Sequence, residues 1–149
     1  MFKFFTFIFI ILISFQATAL DKNATWCSLK SDKSYMRTGP GKRYPIKWVY
    51  KQKYLPFQIL NRHDGWLKVK DYEGETGWFH PNIVSSRRTF IITEDFTFLQ
   101  NHENPNSKKI AKLEKGASGE ILDCKGTMCK VEVQSFTGFI PKNSFLGEK

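Results

Sequence analysis

An internal repeat constrains this chain more than any other feature. Displacing the sequence by 62 positions brings Lys47, Lys53, Ile59, Leu60, Lys68 and Val69 onto Lys109, Lys115, Ile121, Leu122, Lys130 and Val131 without a gap. One residue fewer in the following turn brings Gly77-Trp78-Phe79 onto Gly138-Phe139-Ile140. A repeat that keeps the same order of strand and turn signals means tandem copies of one small module. The first copy is expected over residues 20–86 and a divergent second over 87–149, with a linker near Ser85 to Arg88 so short that the copies should touch.

The local pattern within a copy is that of strands. β-favouring runs are expected at Thr25–Lys30, Ser34–Arg37, Ile46–Tyr50, Phe57–Asn61, Trp66–Lys70 and Gly77–Phe79, with Gly, Pro, Asn and Asp between nearly all of them. The clearest unit is Asp64 to Phe79. Asp64-Gly65 is a hairpin turn signal because glycine reaches positive φ without steric cost, and a second turn falls at Asp71 to Gly74. No stretch carries helical periodicity; His80-Pro81-Asn82-Ile83 reads as a single helical turn. The fold class is therefore all-β, a small barrel or sandwich present twice.

Residues 1–19 read as a secretory signal outside that fold. A single Lys3 precedes a Phe/Ile/Leu run too short for a comfortable bilayer span, and Ala17-Thr18-Ala19 offers the small-x-small site for cleavage after Ala19. A retained anchor is disfavoured because Gln16 and Thr18 end the apolar run early, and bulky Trp26 before Cys27 does not suit a lipoprotein cleavage site. The mature chain is expected to be periplasmic or secreted, with no stable membrane anchor. Residues 20–86 hold twelve Lys and Arg against six Asp and Glu; residues 87–149 hold ten against eight. That excess in the first half either keeps the modules soluble or favours anionic partners such as cell-wall polymers, anionic lipid head groups or acidic protein patches. Nucleic acid is not an expected partner of an exported chain.

Three cysteines complete the chemistry. Cys124 and Cys129 flank Lys125-Gly126-Thr127-Met128 between two alternating runs, well placed for a disulfide across a hairpin in an oxidising compartment. A metal pair is the alternative, but the second ligand pair of a zinc site is lacking and His102 alone does not supply it. Cys27, in the opening strand, is expected to be a buried free thiol.

With those residues in view, the first copy resembles the bacterial SH3-like (SH3b) domain. Tyr35-Met36-Arg37-Thr38-Gly39-Pro40-Gly41, then Gly65-Trp66-Leu67-Lys68-Val69, then Gly74-Glu75-Thr76-Gly77-Trp78-Phe79 follow the family's order. The wider match, including the paired cysteines of the second copy, is similar to tandem SH3-like exported proteins of alphaproteobacteria. The resemblance implies two small SH3-like β-barrels and a role in cell-wall targeting or peptide recognition. In the second copy Arg37-Thr38-Gly39-Pro40 is replaced by Leu99-Gln100-Asn101-His102, and Trp66 and Trp78 by Met128 and Phe139, so binding is expected in the first.

No catalytic constellation, cofactor motif or metal motif stands out. Cys27 lies in a β-run with no helix signal after it, and His63 and His102 lie in polar loops. The expectation is a non-enzymatic exported module that recognises peptidoglycan or a peptide, or alternatively an envelope interaction protein with no small ligand. Candidate ligand-binding residues are Arg37, Arg43, Tyr44, Trp48, Tyr50, Trp66, Tyr72 and Trp78. Aromatic faces beside cations suit sugar rings, extended peptides and carboxylates. Burial in a small barrel is the competing role for the tryptophans, whereas Arg43 and Tyr44 in a Gly/Pro-rich loop are expected to be exposed.

Overall fold

The alternation in Trp66–Lys70 sets the frame: Leu67 and Val69 are buried, while Trp66, Lys68 and Lys70 stand on the half-exposed face. A computed structural model describes residues 20–148 of the chain. The expected signal at residues 1–19 and its cleavage lie outside the described residues. The first module contains β1 (Trp26–Leu29), β2 (Ser34–Arg37), β3 (Ile46–Tyr50), β4 (Pro56–His63), β5 (Trp66–Lys70), β6 (Thr76–Phe79) and β7 (Val84–Ser85). A 3₁₀ turn at Pro81–Ile83, capped by His80, precedes β7. The second contains β8 (Thr89–Ile92), β9 (Phe96–Gln100), β10 (Lys109–Glu114), β11 (Ser118–Lys125), β12 (Met128–Val133), β13 (Phe136–Pro141) and β14 (Phe145–Gly147).

Each set forms its own seven-stranded sheet, ordered β3-β2-β6-β5-β4-β1-β7 and β10-β9-β13-β12-β11-β8-β14. The two orders are the same, strand for strand, and every pairing is antiparallel. The fold is all-β and tandem. Local detail repeats as well: β4 carries a bulge between Ile59 and Asn61, and β11 carries one between Ile121 and Asp123.

Strand pairing refines the register of the repeat. Arg37 lies opposite Trp78, and Gln100 lies opposite Phe139, so the counterpart of Arg37 is Gln100 and not Leu99. Likewise Ile46 pairs with Arg37 as Lys109 pairs with Gln100, which places Lys47 against Ile110 and removes the apparent Lys47–Lys109 identity. The cause is a one-residue difference in the connection between the third and fourth strands of each module. Beyond that connection the gap-free correspondence of Ile59 and Val69 with Ile121 and Val131 holds.

A close strand crossing requires glycine at the same position of each module. A Cβ on Gly77 would press into the Met36 side chain and reach the Arg37 carbonyl at 2.9 Å; one on Gly138 would meet the Gln100 carbonyl at 2.6 Å and Leu99 at 2.8 Å. This is the physical content of the glycine that precedes Trp78 and Phe139.

The first core gathers Cys27, Leu29, Met36, Phe57, Leu67, Val69, Phe79 and Val84. Tyr50, Phe57 and Phe79 meet edge-on at centroid separations of 4.8 to 6.1 Å. The second core gathers Phe90, Ile92, Leu99, Ile121, Val131, Ile140 and Phe145. The modules touch through β8, all four of whose residues are buried. Phe90 and Ile92 enter the second core, while Ile91 packs into the first, joined by Leu146. A strand buried on both faces ties the two cores into one contact region. Polar bonds extend it: the Gln52 side-chain amide donates to the Gly116 carbonyl (3.0 Å) and Ser118 Oγ (2.7 Å), and Ser118 Oγ donates to the Lys53 carbonyl (3.1 Å).

Cys124 and Cys129 are direct cross-strand partners of β11 and β12 and form a disulfide. Cys27 is a free, buried thiol. Burial pushes it up to about 12, with Arg62 acting weakly in the opposite direction.

Candidate functional site

The outward face of β2, β5 and β6 carries the aromatic and basic side chains of the first module. Alternation in β2 buries Ser34 and Met36 and leaves Tyr35 exposed and Arg37 half-buried. On β5 and β6 the outward residues include Trp66, Lys68 and Trp78. Asp64 and Gly65, both at positive φ (48° and 75°), make the two-residue turn that brings Trp66 opposite His63.

A groove of about 390 Å³ opens on this face. Tyr35, Trp66 and Ile83 give it apolar surface; Lys33, Arg37, Lys42 and His80 give it cations or donors; no carboxylate lines it. Each of the key side chains is held in place. The Trp66 ring meets His80 edge-on at 5.1 Å. The Asn82 N–H donates to His80 Nδ1 (3.3 Å), which places the neutral ring's proton on Nε2. Arg37 donates from Nη1 to the Tyr44 carbonyl (2.8 Å), which ties the loop Thr38 to Tyr44 back to the sheet. Lys33 Nζ lies 5.6 Å from the Tyr35 ring centroid.

Of the residues expected from sequence, the groove brings together Arg37 and Trp66. Arg43 and Tyr44 lie just outside it. Arg43 is exposed and stacks over Tyr44 at 5.1 Å, while the Tyr44 ring covers Gly39, whose Cβ position lies 2.5 Å from it. Tyr44 is thereby half-buried, and Gly39 is the one residue type that fits beneath it. Trp78 stands on the same sheet face beside Arg37 and Lys68, with His63 at 6.4 Å. Trp48 is 49% exposed at the edge strand β3, where its indole donates to Glu75 (3.3 Å). Lys47 pairs with the same carboxylate at 3.0 Å, and these contacts, Lys47 first, hold Glu75 below the usual carboxylate range.

Tyr50 and Tyr72 belong to the structure of the barrel end. Tyr50 donates to Asp71 Oδ2 (2.8 Å), and Asp71 Oδ1 accepts from the backbone N–H groups of Glu73 and Glu75 (3.0 and 2.8 Å). Burial first, then that bond to Asp71, pushes the Tyr50 phenol well above its ordinary range. Tyr72 packs partly buried against the core, and burial raises it too.

Lys42 lies in the Arg37 to Tyr44 loop expected to border a groove, whereas Tyr35, Lys33 and His80 line it without being among the residues expected from sequence. Tyr35 carried a readable signal, because in a strand it shares a face with Arg37 two positions on. His80 did not, since its role comes from a turn that folds back beside Trp66. Among the described residues, no group of three or more His, Cys, Asp or Glu side chains is placed to hold a metal ion.

Comparison with known proteins adds one decisive match. A family model of the bacterial SH3 domain matches residues 30–85. The first module is a bacterial SH3-like domain. The match covers β2 to β7 of the SH3-like module and includes the groove. No curated protein matches the chain. Similar solved structures include NlpC2 from Trichomonas vaginalis (14% identity, 83% of this chain and 48% of that chain, TM-score 0.38). Another is an NlpC/P60 family protein from Bacillus cereus (10% identity, 83% and 56%, TM-score 0.37). The chain spans about half the length of these proteins.

The second module presents a different surface at the corresponding positions. Tyr35, Arg37, Trp66 and Trp78 of the SH3-like module become Phe98, Gln100, Met128 and Phe139 by strand pairing, and Met128 and Gln100 are buried.

Proposed function

We propose that the chain is an exported, non-enzymatic binding protein whose first module recognises peptidoglycan or a peptide through the Tyr35–Arg37–Trp66–His80 groove. The observation that carries this reading is a groove lined by aromatic rings and three formal cations with no lining carboxylate, inside a module of the bacterial SH3 family. Aromatic faces take up sugar rings or aliphatic peptide segments, and Lys33, Arg37 and Lys42 meet carboxylates. The apolar segment at residues 1–19 and the disulfide of the second module support placement outside the cytoplasm.

Co-sedimentation of residues 20–149 with purified peptidoglycan, at low and at moderate salt, tests the reading. Binding is expected to weaken with salt and to fall in Trp66→Ala and Arg37→Ala. Wild-type protein left in the supernatant at both salts would overturn it.

A second reading, an envelope protein partner with no small ligand, is favoured by β3. This strand ends the first sheet and exposes Ile46, Trp48 and Val49. Exposed apolar edge strands are sites of pairing with other chains. Crosslinking in the envelope separates the two readings.

A further inference from the structure

The second module is open where the first is closed. In the first module the end of the barrel beneath β3 is filled by Tyr50 bonded to Asp71, with Trp48 above the turn. Strand pairing identifies the counterparts. Tyr50 lies opposite Ser34 as Leu113 lies opposite Thr97, and Trp48 lies opposite Met36 as Ala111 lies opposite Leu99. Asp71 directly follows Lys70, partner of Thr76, as Val133 follows Glu132, partner of Thr137. A phenol and an indole are thus replaced by the smaller Leu113 and Ala111, and a carboxylate by the apolar Val133. They leave a groove of about 410 Å³ lined by Leu99, Ala111, Leu113, Ala117, Val133 and Phe136, with Lys112, Glu114 and Gln134 at its rim. Phe136 is 50% exposed beside it.

This groove runs along β10, which ends its sheet and, among the described residues, pairs only with β9. Its outer backbone edge is free to take another strand. Residues 108–115 carry four lysines, Lys108, Lys109, Lys112 and Lys115, against one carboxylate within the segment, Glu114, itself 3.9 Å from Lys112; Lys115, in the turn after β10, donates its backbone N–H to the Asp95 carbonyl (3.0 Å). Lys109 and Lys112 also sit over the rings of Phe98 (3.9 Å) and Phe96 (4.6 Å). Lysine on an edge strand repels a second copy of itself, because antiparallel self-pairing would set these lysines near one another. The same lysines attract a strand of opposite charge.

We propose that β10 and this groove form a second binding site, for an extended acidic peptide segment. The segment adds to the sheet at β10 through its backbone, lowers one apolar side chain between Ala111, Leu113 and Val133, and sets glutamate or aspartate against the edge lysines. The site is independent of the groove on the first module.

The probe is a fluorescent nine-residue peptide of glutamate alternating with valine and phenylalanine, with the lysine analogue as control. Anisotropy measures affinity for residues 20–149, and ¹⁵N–¹H spectra locate the site. The acidic peptide is expected to bind with amide shifts confined to β10, β9 and the turn around Phe136, and the lysine analogue at least ten-fold more weakly. Ala111→Trp, which restores the residue type found in the first module, should weaken binding at least ten-fold. Lys109→Glu with Lys112→Glu, surface changes that leave the core alone, should do the same if the first variant fails to fold. The proposal is overturned by no binding at millimolar peptide, equal binding of both peptides, shifts confined to the first module, or dimerisation of the wild-type chain through β10.

Discussion

Single residues decide how each barrel end is closed. Asp71 is buried yet accepts three hydrogen bonds, so its carboxylate organises the Asp71 to Glu75 turn and orients Tyr50. Tyr50→Phe should cost about 1–3 kcal/mol by leaving one carboxylate oxygen without its donor. Asp71→Ala should cost more, since three donors lose their acceptor; equal losses in urea unfolding would contradict this. Cys27 gives a pH prediction with a definite sign. Its thiol is held protonated to about 12 in the folded chain, above the ordinary value near 9. The resulting contribution is whole below pH 9 and is lost as pH rises from 9 towards 12, because only the unfolded chain then releases the proton. Cys27→Ala should flatten the fall in unfolding free energy over that window relative to wild type. An unchanged slope would count against a buried, protonated thiol.

Hairpins and crossings carry the next level. The β11–β12 disulfide closes a very short loop, so its entropic contribution is only about 2 kcal/mol. Reduction should leave the sheet folded by circular dichroism while amide exchange quickens between Lys125 and Met128. Loss of all cooperative unfolding on reduction would show a larger role. Gly77→Ala and Gly138→Ala should each destabilise by about 1–3 kcal/mol, as overpacking at a strand crossing does. Most of this level was legible beforehand. The Asp64-Gly65 turn, the β5 alternation and the repeat fixed strand type and order, because turn chemistry and period-two burial are local signals. The two-residue β7 was not legible, since so short a strand has no period. Nor was the true register of Arg37, which depends on a one-residue difference in a later connection. Of the eight candidate ligand residues, Arg37 and Trp66 line the groove, while Tyr50 turned out to serve packing and its bond to Asp71. An aromatic residue reads alike in sequence whether it faces solvent or core; the pairing partners tell the two apart.

At the scale of the whole molecule, Ile91 joins the modules. It belongs to β8 of the second sheet but is 1% exposed within the first core. Ile91→Asp should therefore uncouple the modules and convert a single thermal transition into two, whereas a single unshifted transition would mean that the contact carries no coupling. The molecule then presents two distinct surfaces on one joined pair of barrels: an aromatic, cationic groove on the SH3-like module and a free, lysine-lined edge on its divergent copy. Ligand binding at the first of these surfaces is open to a ¹⁵N–¹H titration of residues 20–149 with soluble peptidoglycan fragments. Shifts are expected at the Trp66 indole N–H, Tyr35, Arg37 and His80, abolished by Trp66→Ala in a chain that stays folded. Fragments that leave these signals unmoved, or that shift only the second module, would contradict binding there.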